Sequence, residues 1–97
     1  MPAYVIARVD VTDPDQYAEY REATPAAVAA FGGKFIVRGG DMETLEGPEE
    51  TRRVVVIQFE SMDRAREFYN SDTYQAAKAL RDGAADGHFI LVDGHDG

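Results

Sequence analysis

Cysteine and tryptophan are both absent from this 97-residue chain. Without cysteine there are no disulfides, no thiolate metal ligands and no cysteine nucleophile, and the cytoplasm is the default compartment. Basic residues are scarce: Lys and Arg number 10 against 18 Asp and Glu, a formal net charge of -8. A chain of that sign repels a phosphate backbone, whose binding needs a basic face. Nucleic acid and anionic membrane are therefore excluded as expected partners, and solubility is the plain reading of the acidity. No charged start leads into an apolar signal segment, and no apolar run is long enough to span a bilayer. Histidine numbers only 2, with no H-E-x-x-H pattern or histidine cluster, so no metal is expected. No cofactor is expected either: Gly39-Gly40 lacks the lysine, the spacing and the following helix of a phosphate loop.

What is present reads as one domain over residues 1–97. AYVIARVDV, from Ala3 to Val11, alternates as a strand, with Val5, Ala7, Val9 and Val11 on one face and Tyr4, Ile6, Arg8 and Asp10 on the other. Asp13 as N-cap, Pro14 at the first helical position and Gln16 in a capping box open a helix. It carries Tyr17, Tyr20, Thr24, Ala27, Val28 and Phe31 at helical spacing and stops at Gly32-Gly33. Pro25 inside it is expected to kink or divide it. KFIVR, Lys34 to Arg38, is a second strand, with Phe35 and Val37 on one face and Lys34, Ile36 and Arg38 on the other. The polar loop GGDMETLEGPEE follows, a connector or a pocket lid. Arg52 to Glu60 is the third strand. Ser61 or Asp63 caps a helix that Asn70-Ser71-Asp72 interrupts and that ends at Gly83. HFILVD, His88 to Asp93, is the last strand, and the GHDG tail is expected to fray.

The order βαββαβ predicts an α+β, ferredoxin-like sandwich: a four-stranded antiparallel sheet with helices on one face. The strands, however, are apolar on both faces. If Phe35, Phe59 and Phe89 face the helices with their aliphatic neighbours, then Ile6, Ile36, Val54, Val56, Ile90 and Val92 have no cover. Burying one aliphatic side chain is worth about 1.5 to 3 kcal/mol, so leaving all of them in water forgoes roughly a domain's whole net stability of about 5 to 15 kcal/mol. A second copy related by a two-fold axis is the simplest cover, and sheet against sheet makes a barrel-like homodimer. The same face carries Tyr4, Arg8, Asp10, Lys34, Arg38, Arg52, Gln58 and His88, an apolar surface with a few convergent polar groups, as in a ligand pocket.

RGGDMETLEG, RRVVVIQF and SMDRAREFYNSDTYQAAKALR, taken together, resemble the family known as domain of unknown function 1330. That family lies in the dimeric α/β barrel superfamily, beside cofactor-independent antibiotic-biosynthesis monooxygenases, heme-degrading enzymes, and chlorite-dismutase and muconolactone-isomerase relatives. The resemblance runs from YVIARVDVTD through LVDG and implies a dimer. It places the family's arginine before paired glycines on Arg38, its leucine-glutamate-glycine on Leu45, Glu46 and Gly47, and its strand arginine on Arg53. Its helical motif falls on Ser61, Tyr69, Ser71, Tyr74 and Arg81. The chain departs from the family in reading Gln58, Phe59, Glu60 and Ser61 where glutamate, phenylalanine, proline and serine are usual, and in having no tryptophan after the acidic loop. The family carries no assigned reaction.

His88, Asp10 and Tyr4 are the candidate proton carriers, with His88 at the first residue of its strand, where capping a strand end is the plainer role. Arg38 is the candidate clamp for a carboxylate, against an ion pair to Glu46 or to a partner subunit. Arg38, Gln58, Tyr4, Arg53 and Glu46 make up the candidate ligand-binding set. The expected function is a small-molecule-binding dimer whose pocket lies between sheet and helices or at the dimer seam, taking a small organic acid or phenolic ligand and acting on it, if at all, without a cofactor. A monooxygenase or isomerase of the antibiotic-biosynthesis type is one alternative; a non-catalytic sensor or assembly module is another.

Overall fold

A computed structural model describes residues 1–95 of the chain, so the expected fraying of the GHDG tail falls partly outside the described residues. Four strands, β1 (Ala3–Val11), β2 (Lys34–Arg38), β3 (Arg53–Phe59) and β4 (Ala85–Asp93), form one sheet in the order β2-β3-β1-β4. Every neighbouring pair is antiparallel. The helices α1 (Pro14–Ala30), α2 (Met62–Asn70) and α3 (Asp72–Ala79) cover one face, where Val5, Ala7, Val9, Val55, Ile57 and Phe59 are buried against Val28, Phe68 and Tyr74. This is the ferredoxin-like arrangement that the order of elements predicts.

Local chemistry starts and stops the helices. The Asp13 carboxylate accepts from the Gln16 N–H at 3.2 Å and the Ser61 hydroxyl from the Arg64 N–H at 3.1 Å, each satisfying a donor the first turn leaves free. Ser71 serves both sides of the break between α2 and α3: its hydroxyl donates to the Phe68 carbonyl at 2.7 Å and accepts from the Tyr74 N–H at 3.1 Å. Gln16 does not complete a capping box. Its amide instead donates to the Leu80 and Asp82 carbonyls at 3.1 and 2.7 Å, tying α1 to the end of α3.

Three further expectations are corrected. Pro25 does not divide α1, which runs unbroken over 17 residues. β4 begins at Ala85, so His88 is a mid-strand residue paired with Arg8 and not a strand end. The third correction moves a candidate ligand residue. In β2, Phe35 pairs with Ile57 but Val37 pairs with Val56, so Ile36 is an extra, bulged residue. One residue of slip exchanges the faces: Val37 joins the open face beside Val56, and Arg38, opposite Val55, turns to the helix side.

The open face is as apolar as its residue types require. Ile6 lies between Val56 and Ile90 in the register, and Ile36, Val37, Ile90 and Val92 are 46%, 39%, 39% and 40% exposed.

Candidate functional site

Beneath the sheet, α1 does not close fully on β2 and β3. A cavity of about 30 Å³ remains, walled by Ala7, Val9, Val55, Ile57, Phe35 and Phe89, with Tyr17, Tyr20, Thr24, Arg21, Arg38 and Arg53 supplying the polar groups. That is room for an ordered water, which needs about 10–15 Å³. Arginines collect at this apolar seam. Arg38 stands at its exposed side, 4.5 Å over the Phe35 ring. Arg53 enters from β3 and packs against Gly39, where an added Cβ would overlap the guanidinium and where φ is +70°. Arg81, 9% exposed, does not line the cavity itself but stacks on two residues that do, 5.2 Å from the Tyr20 ring centroid and 4.9 Å from that of Phe89.

Among the described residues none of Arg38, Arg53 and Arg81 meets a carboxylate. The recorded ion pairs are Arg8 and Arg52 with Glu50, Arg64 with Glu67, and Arg66 with Asp63. The Nε–H groups of Arg53 and Arg81 are buried and have no hydrogen-bond partner. Buried donors without an acceptor are rare, and charged ones are the most costly. In a chain of net charge -8, an unpaired cationic cluster under the sheet is the feature most in need of an explanation.

Tyrosines complete the polar lining. The Tyr20 and Tyr74 hydroxyls lie 2.9 Å apart in a buried hydrogen bond. Burial pushes the Tyr74 hydroxyl well above the ordinary tyrosine value, with Tyr20 adding to the shift. Tyr17 is raised as well, by burial first and then by Tyr20, while Arg53 and Arg81 pull the other way. Burial works against the charge on Arg81, and the hydroxyls of Tyr74 and Tyr20 more than offset it, so its pKa is raised. Tyr17 and Tyr74 therefore keep their protons throughout the physiological range.

The candidate residues fall into separate groups. Arg38 and Arg53 meet at the cavity. Arg38 forms no ion pair with Glu46; its Nη2 donates to the Arg21 carbonyl at 2.8 Å. Tyr4 and Gln58 are partners in the β1–β3 register on the open face, as are Arg8 and His88 between β1 and β4. Asp10 pairs with Asp86 at the far end of that face. The exposed loop after β2 holds Glu46. The proton-carrying candidates Tyr4, Asp10 and His88 are thus on the side of the sheet opposite the arginines. On their side a carboxylate does find cations: Glu50 accepts from Arg52 at 2.8 Å, and the Arg52 side chain and backbone N–H hold its carboxyl down at about 2.

Tyr17, Tyr20 and Thr24 read in the sequence only as helix packing residues. A hydroxyl on the apolar stripe of α1, one residue before a helix-breaking proline, was the available signal. For Arg81 it was a charge continuing the apolar stripe of Tyr74 and Ala77.

Together, sheet, helices and arginine-lined seam define a ferredoxin-like α+β domain with a cationic cavity between helix and sheet. The chain belongs to the DUF1330 family, a domain of unknown function, whose pattern it matches over residues 2–95. No curated protein matches it in sequence. Among solved structures it is similar to a protein of unknown function from Rhodopseudomonas palustris, with TM-score 0.78 and 21% identity over 99% of this chain and 84% of that one. It is also similar to a dimeric ferredoxin-like protein of unknown function from Thermobifida fusca, with TM-score 0.65 and 21% identity over 96% and 91%. SnoaB, a cofactor-independent oxygenase from Streptomyces nogalater, matches with TM-score 0.62 and 11% identity over 99% and 95%. At these identities the likeness is one of fold.

Proposed function

We propose that the protein is a homodimeric binder of a small organic acid, whose carboxylate is held by Arg53 in the seam between α1 and the sheet and by Arg81, reached as the Phe89 ring stacked on it turns aside, with Arg38 at the mouth. The observation that carries this reading is the pair of buried Nε–H groups without an acceptor. A planar carboxylate accepts such donors in charge-assisted hydrogen bonds, and the apolar walls suit a single anionic head better than a strongly hydrated dianion. The cavity as it stands holds about 30 Å³, so the head enters as Arg38 or Phe89 moves aside. Homodimerisation is supported by the uncovered aliphatic face and by the dimeric relative of the same fold.

Binding is favoured over proton-transfer catalysis by the chemistry of the lining. Its titratable groups are tyrosines and arginines, and Tyr17 holds its proton more tightly than usual. These groups donate hydrogen bonds and stabilise negative charge, but none is a base at neutral pH.

Benzoate titrated into the purified protein tests the reading, followed through the Nε–H resonances of Arg53 and Arg81. Both resonances shift in a saturable way, and Arg53→Gln weakens binding about ten- to hundredfold, as loss of a charged hydrogen bond of about 1.5–3 kcal/mol requires. Resonances that stay put while benzoate is added in excess would overturn the assignment.

A further inference from the structure

A second hollow lies on the other side of Phe89. Between α2 and the β4 edge, a groove of about 310 Å³ is lined by Val5, Ala65, Tyr69, Leu91 and Ile90, with Arg66 and Asn70 at its rim and Phe89 at its inner end. Phe89 is also a wall of the arginine cavity. One half-buried ring is therefore the partition between a small cationic chamber and a larger apolar one. Its backbone neighbour leaves it room that a side chain would fill. The ring lies over Gly87, where an added Cβ would sit 2.5 Å from it, beside the Arg81 guanidinium 4.9 Å away, and at the partly buried margin of the core.

Resting on the acid-binding reading above, we infer that the α2–β4 groove receives the apolar body of the ligand, so that the acid is amphipathic: one carboxylate on Arg53 and Arg81 and a hydrocarbon portion of several carbons past Phe89. The groove reaches the lower end of the size range of small-molecule pockets, about 300 to 1,000 Å³, whereas the arginine chamber falls far short of it. Head and body thus need different chambers. The groove's lining is mostly aliphatic and aromatic, and Arg66 is already paired with Asp63 at 2.9 Å, which leaves no free cation there to prefer a second charge. A short acid uses the arginines alone; a long one gains from both chambers.

The test is calorimetric titration of the intact protein with acetate, butyrate, hexanoate and octanoate at constant ionic strength. Affinity is expected to rise about two- to fourfold per added methylene, fourfold being the limit for full burial. Asn70→Trp, at the rim of the groove, should remove the chain-length dependence and leave acetate unaffected. Arg66→Trp, one turn earlier on α2, should do the same and serves if the first variant misfolds. Acetate and octanoate of equal affinity would overturn the groove while leaving carboxylate binding at the arginines in place. Octanoate binding that survives both tryptophans places the chain elsewhere, the open sheet face being the other apolar surface, and overturns it as well. If neither acid binds, both readings fall.

Discussion

Arg38 donates to the carbonyl of Arg21 at 2.8 Å, and that carbonyl is the one Pro25 leaves without a backbone donor, because proline has no N–H to offer four residues back. The side chain of a strand residue thus stands in for a missing helical bond, and α1 runs through Pro25 undivided. Thr24 helps one residue earlier, its hydroxyl donating to the Tyr20 carbonyl at 2.6 Å. A double-mutant cycle measures the relationship. Arg38→Ala alone is expected to cost about 0.5–1.5 kcal/mol, and most of that cost should vanish in a Pro25→Ala background, where the backbone again supplies the donor. Equal costs in the two backgrounds would show that Arg38 stabilises only through its stacking on Phe35.

The open face makes a separate claim. Val56 sits centrally, paired with Ile6 and, across the bulge, with Val37. Sedimentation at micromolar concentration should give about twice 10.7 kDa. Val56→Asp should dissociate or unfold the assembly, since it places a charge in a dry interface. A folded wild-type monomer would remove the basis for the homodimer.

Alkaline pH should weaken the fold through the buried tyrosines. Tyr17 and Tyr74 both have pKa values raised above the ordinary 10.0. Above pH 10 the unfolded chain releases these protons and the folded one keeps them. The unfolded state then binds fewer protons, and stability falls as pH rises; below that pH the contribution is fully present. Urea midpoints at pH 8 and pH 11 check this. In Tyr74→Phe the fall should be shallower, and the neutral-pH stability lower by about 1–2 kcal/mol because the buried Tyr20 hydroxyl loses its partner. A wild-type midpoint that is flat to pH 11 would count against it.

Much of the fold was legible because it rests on local chemistry: Asp13, Ser61 and Ser71 cap helices by their own side chains, and the alternation in β1 and β3 states both faces. The bulge at Ile36 was not. Nothing in KFIVR differs from a regular strand, and the slip follows from how β2 meets β3 while Gly39 turns away with its N–H on the Val54 carbonyl at 2.9 Å. That single residue moved Arg38 from the open face to the cavity, where it joins Arg53, which alternation in β3 already sets on the helix side with Val55 and Ile57. Arg53 was identified only by resemblance. The buried hydroxyls of Tyr20 and Tyr74 face each other through a tertiary contact between α1 and α3, a pairing that helical spacing within either element cannot reveal.

Arg81 is where stability and binding should separate. The residue is 9% exposed and its guanidinium meets no carboxylate among the described residues; the Tyr20 and Phe89 rings lie against it. Stacking of that kind contributes about 0.5–2 kcal/mol, against a desolvation cost of several kcal/mol for a buried ion. A residue held only for packing would be better served by an apolar chain of similar length. Arg81→Met keeps the stem and the contact with both rings and removes a buried charge that no carboxylate neutralises, at the loss of its contacts with the Tyr74 and Tyr20 hydroxyls, so the variant should unfold within a few degrees of wild type. Benzoate affinity should fall about ten- to hundredfold, the loss of one charged hydrogen bond. Thermal melts and calorimetry on the same preparation read both quantities. If the melting temperature drops by many degrees while benzoate binds as before, Arg81 is a structural residue and the carboxylate, wherever it binds, is not held by it.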